Sequence, residues 1–146
     1  MTMIRTTLLG ATLCTALASA AFAQDTAKLV TIVTSENAQT QLMAMVLTTQ
    51  AVEQGADAHI LLCGPGGDMA LRDAPESATA SQPPRGASPQ GMLQNLMANG
   101  TKVEVCAIYL PGMGADASVL LDGVGVAQPP AMAGAMMDMS ARVWSF

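Results

Sequence analysis

Short runs of β-branched and aliphatic residues alternate with helix-forming segments along this chain, and that alternation constrains its fold more than any other feature. Lys28 to Thr34 (KLVTIVT), Asp57 to Leu62 (DAHILL) and Lys102 to Ile108 (KVEVCAI) have strand length and little period-two polarity. They read as strands buried on both faces, as in parallel sheets. Between the first two, Ser35 is placed to cap a helix with Glu36 in its first turn. Leu42, Met45, Val46, Thr49 and Val52 recur at helical spacing, and Gly55 stops it. Cys63-Gly64-Pro65-Gly66-Gly67 reads as a turn, and residues 73–90, rich in Pro, Ser, Ala and Gly, as the one long loop. Ser88-Pro89 opens a second helix with Met92, Leu93, Leu96 and Met97 on its apolar face, and Gly100 ends it. After the third strand come a loop from Tyr109 to Gly114, a short helix from Asp116 to Leu121 and a short strand from Val124 to Ala127. Pro129-Pro130 then opens a last helix, and Arg142 to Phe146 closes as a strand. The order β-α-β-α-β-α-β-α-β specifies a mainly parallel sheet of five strands between helical layers, a flavodoxin-like (Rossmann-like) α/β sandwich with right-handed crossovers.

Composition narrows the function classes. Aromatic residues make up 3% of the chain and apolar residues 51%, so the core is aliphatic and methionine-rich. Six basic side chains against eleven acidic ones give a net charge of −5, which opposes binding to nucleic acid or to an anionic lipid surface. No uninterrupted run of about 20 apolar residues follows the N-terminus, so no membrane anchor is expected. Residues 1–23 have the form of a secretory signal peptide: Arg5, an apolar run from Leu8 to Ala18, and Ala21-Phe22-Ala23 before Gln24. Leu13 before Cys14 is too large for a lipidation site. The expected product is a single domain, residues 24–146, in the periplasm or outside the cell.

Export makes the two remaining cysteines, Cys63 and Cys106, informative. In an oxidising compartment a pair serves as a structural disulfide, a redox couple or soft metal ligands. Three segments meet at the carboxyl ends of the expected strands, where such sheets place ligands and chemistry: Ser35-Glu36-Asn37, Cys63 to Asp68, and Cys106 to Gly114. Strand alternation puts Lys102, Glu104 and Cys106 on one face and Val103, Val105 and Ala107 on the other. The turn CGPGGD lacks the Gly-Lys-Ser/Thr ending of a phosphate loop, one histidine supplies no hydrolase triad, and no two carboxylates pair. No cofactor site is read. His59, alone on its strand, reads as a hydrogen-bonded structural histidine.

Gly100, the run VEVCA at Val103–Ala107, Tyr109-Leu110-Pro111, the Leu-x-Gly-Val at Leu121–Val124, Pro129 and the terminal strand together resemble the DsrE/DsrF-like family, small α/β proteins related to sulfur-relay subunits. The resemblance implies a flavodoxin-like layered fold and homo-oligomers, often trimers or hexamers. It also implies that Cys106, matching the relay members' third-strand cysteine, carries sulfur as a persulfide or mixed disulfide. Cys63 is then the candidate resolving thiol or disulfide partner. Export is a departure from the cytoplasmic relay members, so the sulfur donor and acceptor do not carry over. A flavodoxin-like order places the second and third strands on either side of the first, roughly 9–10 Å apart. A disulfide needs Cα atoms within about 7 Å, so two free thiols are the expectation.

A reading from a different class is a non-catalytic oligomeric module that binds a soft metal such as copper(I) through Cys and Met. Met132, Met136, Met137 and Met139, with Cys63, Cys106 and His59, supply its donors. Against it, Met132, Met136 and Met139 fall at i, i+4 and i+7, the spacing of a core-facing stripe.

Overall fold

The computed structural model describes residues 26–146, so the signal peptide read at 1–23 lies outside the described residues. Five strands form one sheet: β1 (Lys28–Val33), β2 (Asp57–Leu62), β3 (Lys102–Val105), β4 (Gly125–Val126) and β5 (Ala141–Ser145). Every pairing is parallel. Five α-helices connect them: α1 (Ala38–Glu53), α2 (Glu76–Thr79), α3 (Pro89–Ala98), α4 (Tyr109–Met113) and α5 (Pro129–Met137). The expected α/β three-layer fold is therefore the observed one.

The strand order corrects the sequence reading. It is β4-β3-β2-β1-β5, with β2 and β3 hydrogen-bonded neighbours rather than flanking β1. From β1 to β4 each crossover advances in the same direction, so right-handed connections keep α1, α3 and α4 on one face. The return from β4 to β5 reverses direction and carries α5 to the other face.

The two faces are unequally filled. On the first, Val33, Ile60, Leu62, Val103 and Val105 pack with Ala44 and Met45 of α1 and Leu93 and Leu96 of α3. On the second, α5 lies over a small cluster of Val30, Leu61, Ala127 and Met132.

Local capping explains the element ends. The first helix starts later than expected, because Asn37 rather than Ser35 is its cap: Asn37 Oδ1 accepts from the Thr40 amide at 3.0 Å. Ser35 instead accepts from the Asn37 amide, which leaves Glu36 ahead of the helix. The buried line of α1 is Gln41, Ala44, Met45 and Thr48, a face turned from the one that apolar spacing suggested. Its two polar members each find a partner, although Gln41 Oε1 accepts no hydrogen bond among the described residues. Thr48 Oγ1 lies 2.8 Å from Thr31 Oγ1 across the layer, and Gln41 Nε2 donates to the Ser35 carbonyl.

Three further differences have local causes. The long loop contains α2, and the turn after β2 winds into a 3-10 helix, Gly64–Ala70. The third strand ends at Val105, and the chain re-forms as α4 where a loop was expected. The last helix ends at Met137 before the Asp138 cap, so Met139 falls outside it and is 96% exposed rather than core-facing.

Candidate functional site

The carboxyl edge of the sheet is assembled by main-chain hydrogen bonds that continue the strand register. The Cys63 amide donates to the Val33 carbonyl, and the Cys106 amide donates to the Leu62 carbonyl. In the β2–β3 register Leu61 is opposite Glu104 and Leu62 opposite Val105, so the next position places Cys63 opposite Cys106. Their Cα atoms are 5.1 Å apart and the two sulfurs are joined as a disulfide. The expectation of two free thiols fails because it assumed the wrong neighbours: adjacent strands bring Cα atoms within disulfide reach, whereas strands separated by a third do not. Both cysteines are partly exposed.

The three segments predicted to converge do meet here. Gln41 donates to the Ser35 carbonyl at 2.8 Å and approaches the Pro65 carbonyl at 3.5 Å, joining the α1 start to the turn after β2. Gly64 takes a φ of 51°, in the left-handed region, which turns the chain sharply out of β2. Gly66 and Gly67 serve close approach. A Cβ on Gly66 would stand 2.2 Å from the Val33 oxygen, and one on Gly67 would stand 2.5 Å from the Tyr109 ring.

Tyr109, three residues after Cys106, anchors this packing by donating from its hydroxyl to Asp68 Oδ1 at 2.7 Å. Burial first, then the hydrogen bond and charge of Asp68, raise the Tyr109 phenol well above its ordinary value. A raised pKa means that its stabilisation is complete below the ordinary value of 10.0 and is lost as pH climbs above it. Tyr109→Phe is expected to cost about 1–3 kcal/mol at neutral pH. It should also remove part of the alkaline loss of stability, as measured by urea unfolding at pH 8 and above.

On the face covered by α5, His59 Nε2 lies 2.8 Å from Glu104 Oε2, and Lys102 Nζ lies 2.9 Å from Glu104 Oε1. Burial is the largest influence on His59 and lowers its pKa from 6.5; the Lys102 charge lowers it further, and Glu104 and Asp57 only partly oppose this. Neutral His59 then donates to Glu104. For Glu104, burial would raise the pKa, but hydrogen bonds from Lys102 and His59 outweigh it and hold the carboxyl below its ordinary value. Both depressed values mean stability present at neutral pH and lost on acidification: first below 6.5 through His59, then below 4.5 through Glu104. Stability to thermal unfolding should thus fall from pH 7 to pH 5 in the wild type, and His59→Gln should flatten that segment.

His59 is therefore hydrogen-bonded, as expected of a structural histidine. Its partner was hidden because the pairing depends on β2 and β3 being neighbours. The Tyr109–Asp68 bond had no sequence signal beyond proximity to the same edge. Met132 and Met136 lie with the cysteines: Cys63, Cys106 and Met136 all pack against the cluster that contains Met132. Met137 and Met139 do not join them and are 80% and 96% exposed.

Comparison with solved structures places this geometry in a class. The crystal structure of the YchN protein from E. coli superimposes with a TM-score of 0.65 at 20% identity, covering 84% of this chain and all of the other (100%). A protein of unknown function from Methanobacterium thermoautotrophicum, MTH1491, gives a TM-score of 0.62 at 14% identity, with 84% of this chain and 100% of that one covered. Both are small α/β proteins of the DsrE-like fold, and this chain shares that fold. No protein-family model matches the chain, and no curated protein matches it significantly in sequence.

Proposed function

We propose that this chain is an exported DsrE-like protein of sulfur and thiol chemistry, with Cys106 carrying the sulfur and Cys63 as its resolving thiol. The observation that supports this most is the partly exposed Cys63–Cys106 disulfide at the carboxyl edge of a parallel sheet. The role of Cys106 follows from its match to the third-strand cysteine of the relay proteins.

The step is a thiol–disulfide exchange. An incoming hydrosulfide or thiolate attacks Cys106 Sγ and forms a new S–S bond. The Cys63–Cys106 bond breaks, and its electron pair leaves on Cys63 as a thiolate. The disulfide itself is the oxidant, so no further electron acceptor is needed. Cys106 then bears a persulfide or mixed disulfide; an acceptor thiolate that attacks the outer sulfur takes it and leaves Cys106 as a thiolate, whereas return of the Cys63 thiolate onto Cys106 Sγ re-forms the disulfide and releases the incoming sulfur again as hydrosulfide or thiolate.

Assembly into a homo-oligomer belongs to the same proposal. Among the described residues β5 pairs only with β1, and residues 142–145 of this edge strand are exposed, including Val143 and Trp144. Such an edge is open to a second copy.

The test is the intact mass of the protein purified from its own periplasm without reductant. Residues 24–146 with two hydrogens fewer than the dithiol, or with about 32 Da of added sulfur that reduction removes, are the expected products. An unprocessed chain would contradict export, and an unmodified dithiol would contradict the redox pair.

A further inference from the structure

We propose that reduction of the Cys63–Cys106 pair opens a soft-donor site, beneath α5, that holds one copper(I) ion through the two thiolates and the Met132 thioether. This site rests on the reading of the pair as reducible, and it goes beyond sulfur carriage.

The donors are brought together by the fold rather than by sequence. Cys63 and Cys106 directly follow the neighbouring strands β2 and β3, with Cα atoms 5.1 Å apart. Both pack against the cluster of Val30, Leu61, Ala127 and Met132. Within that cluster Met132 is 6% exposed and is the only member with a polarisable donor atom. The Ala127 amide bonds the Val105 carbonyl, so the chain enters α5 directly beside Cys106, and Met132 lies in the first turn of that helix. Met136, one turn later, packs on the same cluster from the same helix face.

The surroundings select the metal. Thiolate and thioether donors in an apolar cluster suit copper(I), whereas hard cations prefer oxygen ligands. The carboxylate of Glu104 has one oxygen engaged by His59 and the other by Lys102. Among the described residues no three His, Cys, Asp or Glu side chains gather as a zinc site would require.

The chemistry balances with a thiol as reductant. Two small thiols reduce the disulfide to two cysteine thiols and leave as their own disulfide. Copper(I) then binds the two sulfurs with release of two protons.

The experiment uses the mature chain, reduced with a phosphine under nitrogen without denaturant. Free thiols are counted, and copper(I) is titrated in competition with the chromophoric chelator bicinchoninate. The expected result is two thiols and one copper(I) per chain. Met132→Leu, a near-isosteric change, should weaken binding by about tenfold or more. Met139→Leu should bind like wild type. Wild-type affinity in Met132→Leu overturns the site, as does a two-thiol protein that takes no copper. In that second case sulfur exchange at Cys106 persists and only the metal site falls. A disulfide that resists reduction in the folded chain overturns both the site and the thiol reading.

Discussion

Cys106→Ser is expected to lower folding stability by about 4 kcal/mol, and Cys63→Ser by a similar amount. The size follows from the loop that the bond closes. The two cysteines are 43 residues apart, and between them lie the 3-10 helix, α2, α3 and β3. In the chain-entropy account, cross-linking a loop of this length removes about 4 kcal/mol of unfolded-state freedom. Either substitution removes the same bond, so the two should agree within about 0.5 kcal/mol, and the double variant should cost little more. Urea unfolding with and without reductant checks this. Reduced wild type should move to the stability of the serine variants, which themselves should not respond. A wild type indifferent to reductant would mean that the bond contributes nothing to the folded chain in solution.

Gly66→Ala is the second large effect, expected to cost about 3 kcal/mol. The new Cβ would meet the Val33 carbonyl oxygen at 2.2 Å and its carbon at 2.7 Å. These are backbone atoms of β1, and the Val33 carbonyl also accepts from the Cys63 amide. Relief therefore requires the turn to move away from β1, which pulls on Cys63. Gly64→Ala, with φ of 51° but nothing within 4 Å of its Cβ, is a useful contrast. It carries only the left-handed backbone penalty, about 1–2 kcal/mol. Thermal unfolding of both variants separates the two causes. Equal losses would show that the turn yields and that the close approach to Val33 is not rigid.

Much of this architecture was legible because it depends on local patterns. The runs at Lys28, Asp57 and Lys102 are strands, and Gly55 and Gly100 fall just beyond helices as stop signals should. Alternation on the third strand correctly separated Val103 and Val105, which are buried, from Lys102 and Glu104, but the strand ends at Val105, so the pattern does not extend to Cys106 and Ala107. The failures are of a different kind. Strand order is a property of how crossovers stack, and no residue encodes it locally. With β2 and β3 apart, the cysteines are out of disulfide reach and His59 stands alone; with them adjacent, both acquire partners at once. The rotated face of α1 has another cause. Gln41 and Thr48 are polar and fall outside the apolar spacing, yet hydrogen bonds to Ser35 and Thr31 let them replace Leu42 and Val46 in the buried line. Met139 was misplaced because the methionine spacing runs past the end of α5 at Met137.

The fold places two sulfurs at the edge where parallel sheets keep their chemistry, and the resemblance assigns the carrier role to one of them. That asymmetry can be read directly. The oxidised mature chain is treated with hydrosulfide, alkylated at once, and digested, and the added sulfur is located by mass. The account predicts a persulfide on Cys106, about 32 Da heavier than the alkylated thiol, with Cys63 captured as a free thiol. Added sulfur on Cys63 with Cys106 free, or a disulfide that survives hydrosulfide intact, would contradict it.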